Sequence, residues 1–224
     1  MTMRRLQVIT LLTALLVGNS HAQQAPSHDD ALVVAREVYS VAIENRYVLV
    51  VNVHVPPHYR SVMHTHQDLA GVIIALGDGP YILTGEDGVA QERRQKEGAV
   101  AYREAGRPGL ATKHQVENPG ETPVRAVRVE LKEYPPFHEL QSLKSDSRYT
   151  VEIDNQRVRV LRIRLGPRET LPGLSLGPHV IVDLTDSDTQ HVGQSRWVEP
   201  GHERINNPGD RPSETIVVEL KGRQ

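Results

Sequence analysis

The chain carries a second, shorter copy of itself. Residues 39–57 read YSVAIENRYVLVVNVHVPP and residues 149–167 read YTVEIDNQRVRVLRIRLGP. Val41, Ile43, Asn45, Val48 and Val50 thus match Val151, Ile153, Asn155, Val158 and Val160 at an offset of 110. Gly98, Tyr102, Glu104 and Gly106 match Gly193, Trp197, Glu199 and Gly201 at an offset of 95. Residues 118–123, NPGETP, match 207–212, NPGDRP, and Val129-Glu130-Leu131-Lys132 matches Val218-Glu219-Leu220-Lys221, both at 89. The order is kept and the offset only shrinks, which predicts two related units, the second trimmed.

Both copies read as all-β. Val48, Val50, Asn52 and His54 alternate with Leu49, Val51 and Val53, and Val158 to Leu165 largely alternates apolar with basic residues, the period of a strand. Gly77-Asp78-Gly79-Pro80, Gly85-Glu86-Asp87-Gly88 and Asn118-Pro119-Gly120-Glu121 supply turn chemistry between short runs. Val72–Leu76 and Val180–Leu184 are continuously apolar, as strands inside a sandwich are. Many short strands at regular spacing predict a sandwich or jelly roll. Residues 134–147, with Pro135-Pro136 and then FHELQSLKSD, read as a linker holding a single helical turn.

Residues 1–22 have a short basic start (Arg4-Arg5), an apolar run from Leu6 to Val17 and a Ser20-His21-Ala22 end. That pattern predicts a cleaved signal peptide and a periplasmic or secreted protein; an uncleaved N-terminal anchor is the alternative reading. Residues 23–37 read as a flexible leader. Cleavage lowers Lys plus Arg from 26 to 24 against 28 Asp plus Glu, a formal charge of −4 with neutral histidines. This gives no reason to expect nucleic acid, or a membrane once the signal is removed, as a partner. Arg93-Arg94-Gln95-Lys96 reads as a solvated loop face. The absence of cysteine excludes disulfides and thiol catalysis.

Chemistry enters through histidine. In a strand, residues i and i+2 share a face, so His64 and His66 project together, and His114 on a neighbouring strand would complete a triangle of imidazoles. The bland alternative is a pair of exposed histidines on a strand edge. Asp68 would share their face if the strand continued, as a fourth ligand or a general base; otherwise it is a solvated loop residue. His54 and His58, which align with Arg164 and Arg168, read as rim polarity. His179, His191, His202 and Glu203 form at most an unrelated polar cluster. Tyr102 and Glu104 recur as Trp197 and Glu199, which marks them as structural.

Residues 64–77, HTHQDLAGVIIALG, and His114-Gln115-Val116-Glu117-Asn118 carry a resemblance. The first resembles the leading motif of the cupin superfamily (HXH, three or four residues, Glu, six residues, Gly). The second resembles the end of that family's other motif (His, three residues, Asn), with Gly98, Gly106, Pro108 and Gly109 as a looser upstream framework. The resemblance covers about residues 38–222 and implies a bicupin. Its jelly-roll barrels would span 38–133, metal-binding, and 148–224, degenerate and without metal. It implies His64, His66 and His114 as ligands of one divalent ion. Ala70 stands where the family has its fourth ligand, Glu. In the second half the histidine positions fall on Leu174, Leu176 and Glu203.

Three imidazoles leave coordination positions open, as a catalytic site requires. The resemblance puts Fe2+ first, with Zn2+, Mn2+, Ni2+ or Cu2+ compatible. The leading expectation is non-haem dioxygenase-type chemistry on a small molecule, with lyase or isomerase chemistry related to it. The alternative is a non-catalytic cupin that binds a small metabolite or carbohydrate. A homodimer is compatible with either reading.

Overall fold

The computed structural model describes residues 28–106, 113–143, 146–186 and 191–223. The expected signal peptide lies outside the described residues, as do residues 23–27 of the expected leader.

Among the described residues, sixteen strands and one short helix follow in chain order. The first half holds α1 (Ala31–Val34), β1 (Tyr39–Glu44), β2 (Val48–Val55), β3 (His64–Thr65), β4 (Gly71–Ala75), β5 (Gly79–Gly85), β6 (Ala90–Gln95), β7 (Val100–Arg103), β8 (Lys113–Glu117) and β9 (Val124–Leu131). The second half holds β10 (Tyr149–Asp154), β11 (Val158–Leu165), β12 (Thr170–Leu176), β13 (His179–Asp183), β14 (Ser195–Val198), β15 (Gly201–Asn206) and β16 (Ser213–Leu220). Sheets of order β1-β2-β9-β4-β7 and β3-β8-β5-β6 form the first half, and β10-β11-β16-β13-β14 with β12-β15 form the second.

Matched positions behave alike down to the backbone. The register slips between Val41 and Ile43 and again between Val151 and Ile153. His58 and Arg168, both non-glycine, adopt left-handed φ of 56° and 57°. The Asn45 carboxamide oxygen accepts the amides of Tyr47 and Val48, and Asn155 does the same for Arg157 and Val158. These Asx turns aim each hairpin before its long strand begins. The β5–β6 hairpin has no counterpart among the described residues of the second half, and the drop in offset from 110 to 95 falls there.

Burial explains the continuously apolar strands. On β2, Val48 and Val50 face the second half while Leu49 and Val51 face the interior of the first barrel. Val158 and Val160 of β11 face back across, and Leu161, Ile163 and Leu165 fill the second barrel. The largest core is thus the layer between the two five-stranded sheets, where Val72, Ile74, Val127, Val129, Val180, Val182, Ile216 and Val218 are all buried. A strand with both faces buried has no polar face to show. Arg162, on the rim of that layer, joins the halves by bonding Glu152, Glu214 and the carbonyl of Gly98.

Three expectations need correction. The leader is packed from residue 28 onward: Asp30 caps α1 by accepting the Leu32 amide, and Ala31 and Ala35 are fully buried in the first barrel. The linker has no helical turn among its described residues. Pro135-Pro136 gives way to an irregular stretch over the second barrel, where the Gln141 carbonyl accepts from Arg159, its carboxamide oxygen accepts the Ser175 amide, and Leu143 packs on the core. Those tertiary bonds outweigh local helix propensity. The basic stretch from Arg93 is the end of exposed strand β6 and the turn after it, paired with β5.

Candidate metal centre

Strand β3 is two residues long, and its pairing decides the site. His64 lies opposite His114 of β8, and Thr65 opposite Lys113. Directly opposed residues in an antiparallel pair share a face, and His66 returns to that face two positions on. The three rings therefore converge, with centroids 4.7 Å (His64–His114), 5.0 Å (His64–His66) and 5.2 Å (His66–His114) apart. One nitrogen from each lies within 4.8 Å of the others.

The protonation pattern suits a ligand set. The Nδ1 of His64 donates to the Val62 carbonyl at 2.9 Å, which leaves Nε2 as the acceptor. That Nε2 accepts from the Tyr39 hydroxyl at 3.1 Å, and the Tyr39 ring stands edge-on to both His64 and His66. Burial pushes the pKa of His64 down. Burial, followed by Arg128 and the neighbouring imidazoles, pushes that of His66 down much further. Both rings are thus held neutral at pH 7, the form that ligates. His66 Nε2 is buried without a hydrogen-bond partner. An orphaned polar atom in the middle of a triad is a position an ion would satisfy, so the residues fit a divalent metal. Bound there, such an ion would act as a Lewis or redox centre with open positions.

The other sequence candidates sit elsewhere. Both oxygens of Asp68 accept the Gly106 amide at 2.9 Å; the carboxylate closes an exposed turn and is not in the triad. Ala70 is buried and offers only a methyl group. His54 is exposed on β2, and His58 pairs with Glu121 at 3.1 Å on the surface. Tyr102 donates to Glu104 and Trp197 to Glu199, the same bond in both halves. His179 is fully buried with Nδ1 on the Gly177 carbonyl, whereas His191 and His202 are exposed, so the three do not gather. In the second half Leu174 lies opposite Glu203, the pairing that His64 and His114 make in the first.

Sequence reasoning missed the polar lining beside the triad. Tyr39, Arg103, Arg128 and Glu130 face the first barrel's interior; Arg128 and Glu130 pair at 2.7 Å with both side chains largely buried. Burial raises the pKa of Glu130, opposed by Arg128 and Arg103, and raises that of Tyr39 to about 12. A signal was present. Subtracting one half from the other shows Arg128 where the second half has Val217, against the strand's apolar background.

No family model matches the chain, and no curated protein does. Solved structures do. It is similar to YhaK from Escherichia coli (13% identity, TM-score 0.54, 89% of this chain and 100% of that one). It is similar to AerE from Microcystis aeruginosa (12%, 0.53, 82% and 97%). It is also similar to a cupin 2 conserved barrel domain protein from Leptotrichia buccalis (8%, 0.50, 82% and 88%). The chain has the fold of the cupin superfamily.

Proposed function

We propose that the chain is an exported bicupin, an internal duplication in which the first barrel holds one divalent ion through His64, His66 and His114. The second barrel serves as a structural partner. The reaction is metal-dependent chemistry on a small molecule, with Fe2+ and dioxygenase-type turnover as the leading form. The observation that carries this reading is the asymmetry between halves: three imidazoles converge in one, while Leu174, Leu176 and Glu203 occupy their places in the other.

The chain's own residues set the conditions. The Val62 carbonyl holds Nδ1 of His64 and so aims Nε2, which here accepts from Tyr39, at the site. With Ala70 in the fourth-ligand position, the site has one protein ligand fewer than the family pattern, leaving room for substrate beside the ion.

Nitric oxide tests this with ferrous protein prepared without oxygen. The expected result is the paramagnetic signal of a ferrous–nitrosyl adduct, which reports an open position, and its loss in His114→Ala. Iron retained without an adduct would contradict the catalytic reading and favour an ion that only orients a bound ligand.

A further inference from the structure

The space beside the triad is too small for the molecule that the proposed reaction would act on. The cavity next to His66 measures about 10 Å3, room for about one water. Strands β1, β2 and β9 wall one side of it, through residues such as Tyr39 and Glu130, and their ladders hold that side in place. Asp30 and Leu32 form part of the other side. They belong to residues 28–36, the one stretch of wall that is not built into a sheet.

These residues fold largely on themselves. The amides of Leu32, Val33, Val34 and Ala35 bond back to Asp30 and Ala31, a single helical turn that is too short to persist alone. The stretch meets the barrel along one line. Asp30 forms a parallel bridge with Thr65, whose amide donates to the Asp29 carbonyl at 2.8 Å. Lys113 Nζ meets the Asp29 carboxylate at 2.8 Å, where both side chains reach solvent. Its fully buried side chains, Ala31 and Ala35, are small.

The second half carries the matching stretch with a firmer hold. At the offset of 110, residues 28–33 match 138–143 and Thr65 matches Ser175. There the Gln141 carboxamide oxygen accepts the Ser175 amide, its carbonyl accepts from buried Arg159, and Leu143 packs against the barrel core. The half without the histidines ties its strap to a buried partner. The half with them uses an ion pair for which water and salt compete.

We infer that residues 28–36 are a displaceable strap on the first barrel, and that a small molecule gains the space beside His66 by moving Asp30 and Leu32 out of it. This rests on the proposed metal site and names the element that regulates access to it. His66 and His114 keep part of their surface exposed, so the strap closes the barrel interior and not every face of the rings. A ligand that needs the open form binds with its intrinsic affinity reduced by the open fraction. Loosening the strap therefore tightens binding by the factor by which it raises opening.

Hydrogen exchange and ligand titration test this together on the parent protein, Asp29→Asn and Lys113→Met, which remove the same ion pair from either side. In metal-free protein the amides of residues 32–35 and of Thr65 should exchange at least about tenfold faster than those of Val127 and Val129 in β9. Either variant should speed the strap amides by about two- to fivefold more, the worth of an exposed ion pair. Acetohydroxamate, a bidentate metal chelator larger than a water, is then titrated into cobalt-loaded protein and followed by the cobalt absorption. The expected result is binding tightened in both variants by the factor seen in exchange, at unchanged cobalt content, with the strap amides exchanging faster once the probe is bound. Strap amides as protected as those of β9 would overturn the inference. So would acetohydroxamate binding that leaves strap exchange unchanged, because the probe would then use the exposed faces of His66 and His114. If cobalt does not bind, the metal reading fails and exchange in metal-free protein decides the strap by itself: fast, pair-dependent exchange upholds it and protection like that of β9 sinks it.

Discussion

His64 and Tyr39 form the contact through which the site can be probed without abolishing it. The phenol donates to Nε2 of His64, the lone pair an ion would take. Tyr39→Phe should therefore destabilise metal-free protein by about 1 kcal/mol, the net worth of one buried hydrogen bond, and metal-loaded protein by less. Equal losses in the two forms, measured by chemical denaturation, would show that Nε2 of His64 never turns to a metal. The histidines also set an acid limit. Burial lowers the pKa of His66 and His179 below the ordinary 6.5. The unfolded chain then binds more protons than the folded one as pH drops below 6.5, so stability is full above that value and lost as pH falls towards the depressed folded values. The melting temperature of chelator-treated protein should fall between pH 7.5 and 5.5; a flat profile would contradict the neutral, buried assignment. His64, His66 and His114 were legible because a strand period and a short motif fix them in sequence. Tyr39, Arg103 and Arg128 were not, because their shared interior depends on pairings between strands distant in the chain.

Turns between strands hold the register that brings β3 and β8 together. Asn118 is fully buried after β8; its amide donates to the Val55 and Thr122 carbonyls, and its oxygen accepts the Gly120 amide. Asn207 repeats the arrangement with Gly166, Arg211 and Gly209. Asn118→Ala leaves several buried backbone groups unpaired and should cost about 2–4 kcal/mol, read from the denaturant midpoint; a cost below 1 kcal/mol would mean water replaces the side chain. This element was readable from the NPG repeats, and the falling offset showed that the second half is trimmed, but not that the β5–β6 hairpin is the piece without a counterpart. The helical turn expected near Phe137 was not formed. Local propensity gives no information about the Arg159 and Ser175 groups that draw Gln141 over the second barrel.

Across the whole molecule the two barrels share their largest apolar layer, so neither can be removed without exposing the other. Leu220, buried in that layer on β16, tests the coupling. Leu220→Ala should lower stability by about 2–5 kcal/mol while calorimetry still shows one transition; two separated transitions would mean the barrels fold independently. The sandwich was foreshadowed by the unbroken apolar runs of β4 and β13, yet which faces met was not, because both faces of those strands read alike. The proposed function gives the halves different work: the second barrel, with leucines at the ligand positions, would support the first, which carries the histidines. Elemental analysis of natively purified full-length protein, beside His64→Ala and His114→Ala, tests that division most directly. The account predicts about one divalent ion per chain in the parent protein, retained through chelator-free dialysis, and a large loss in both variants whose folds persist. A parent protein with no ion, or variants that keep the same content, would contradict it.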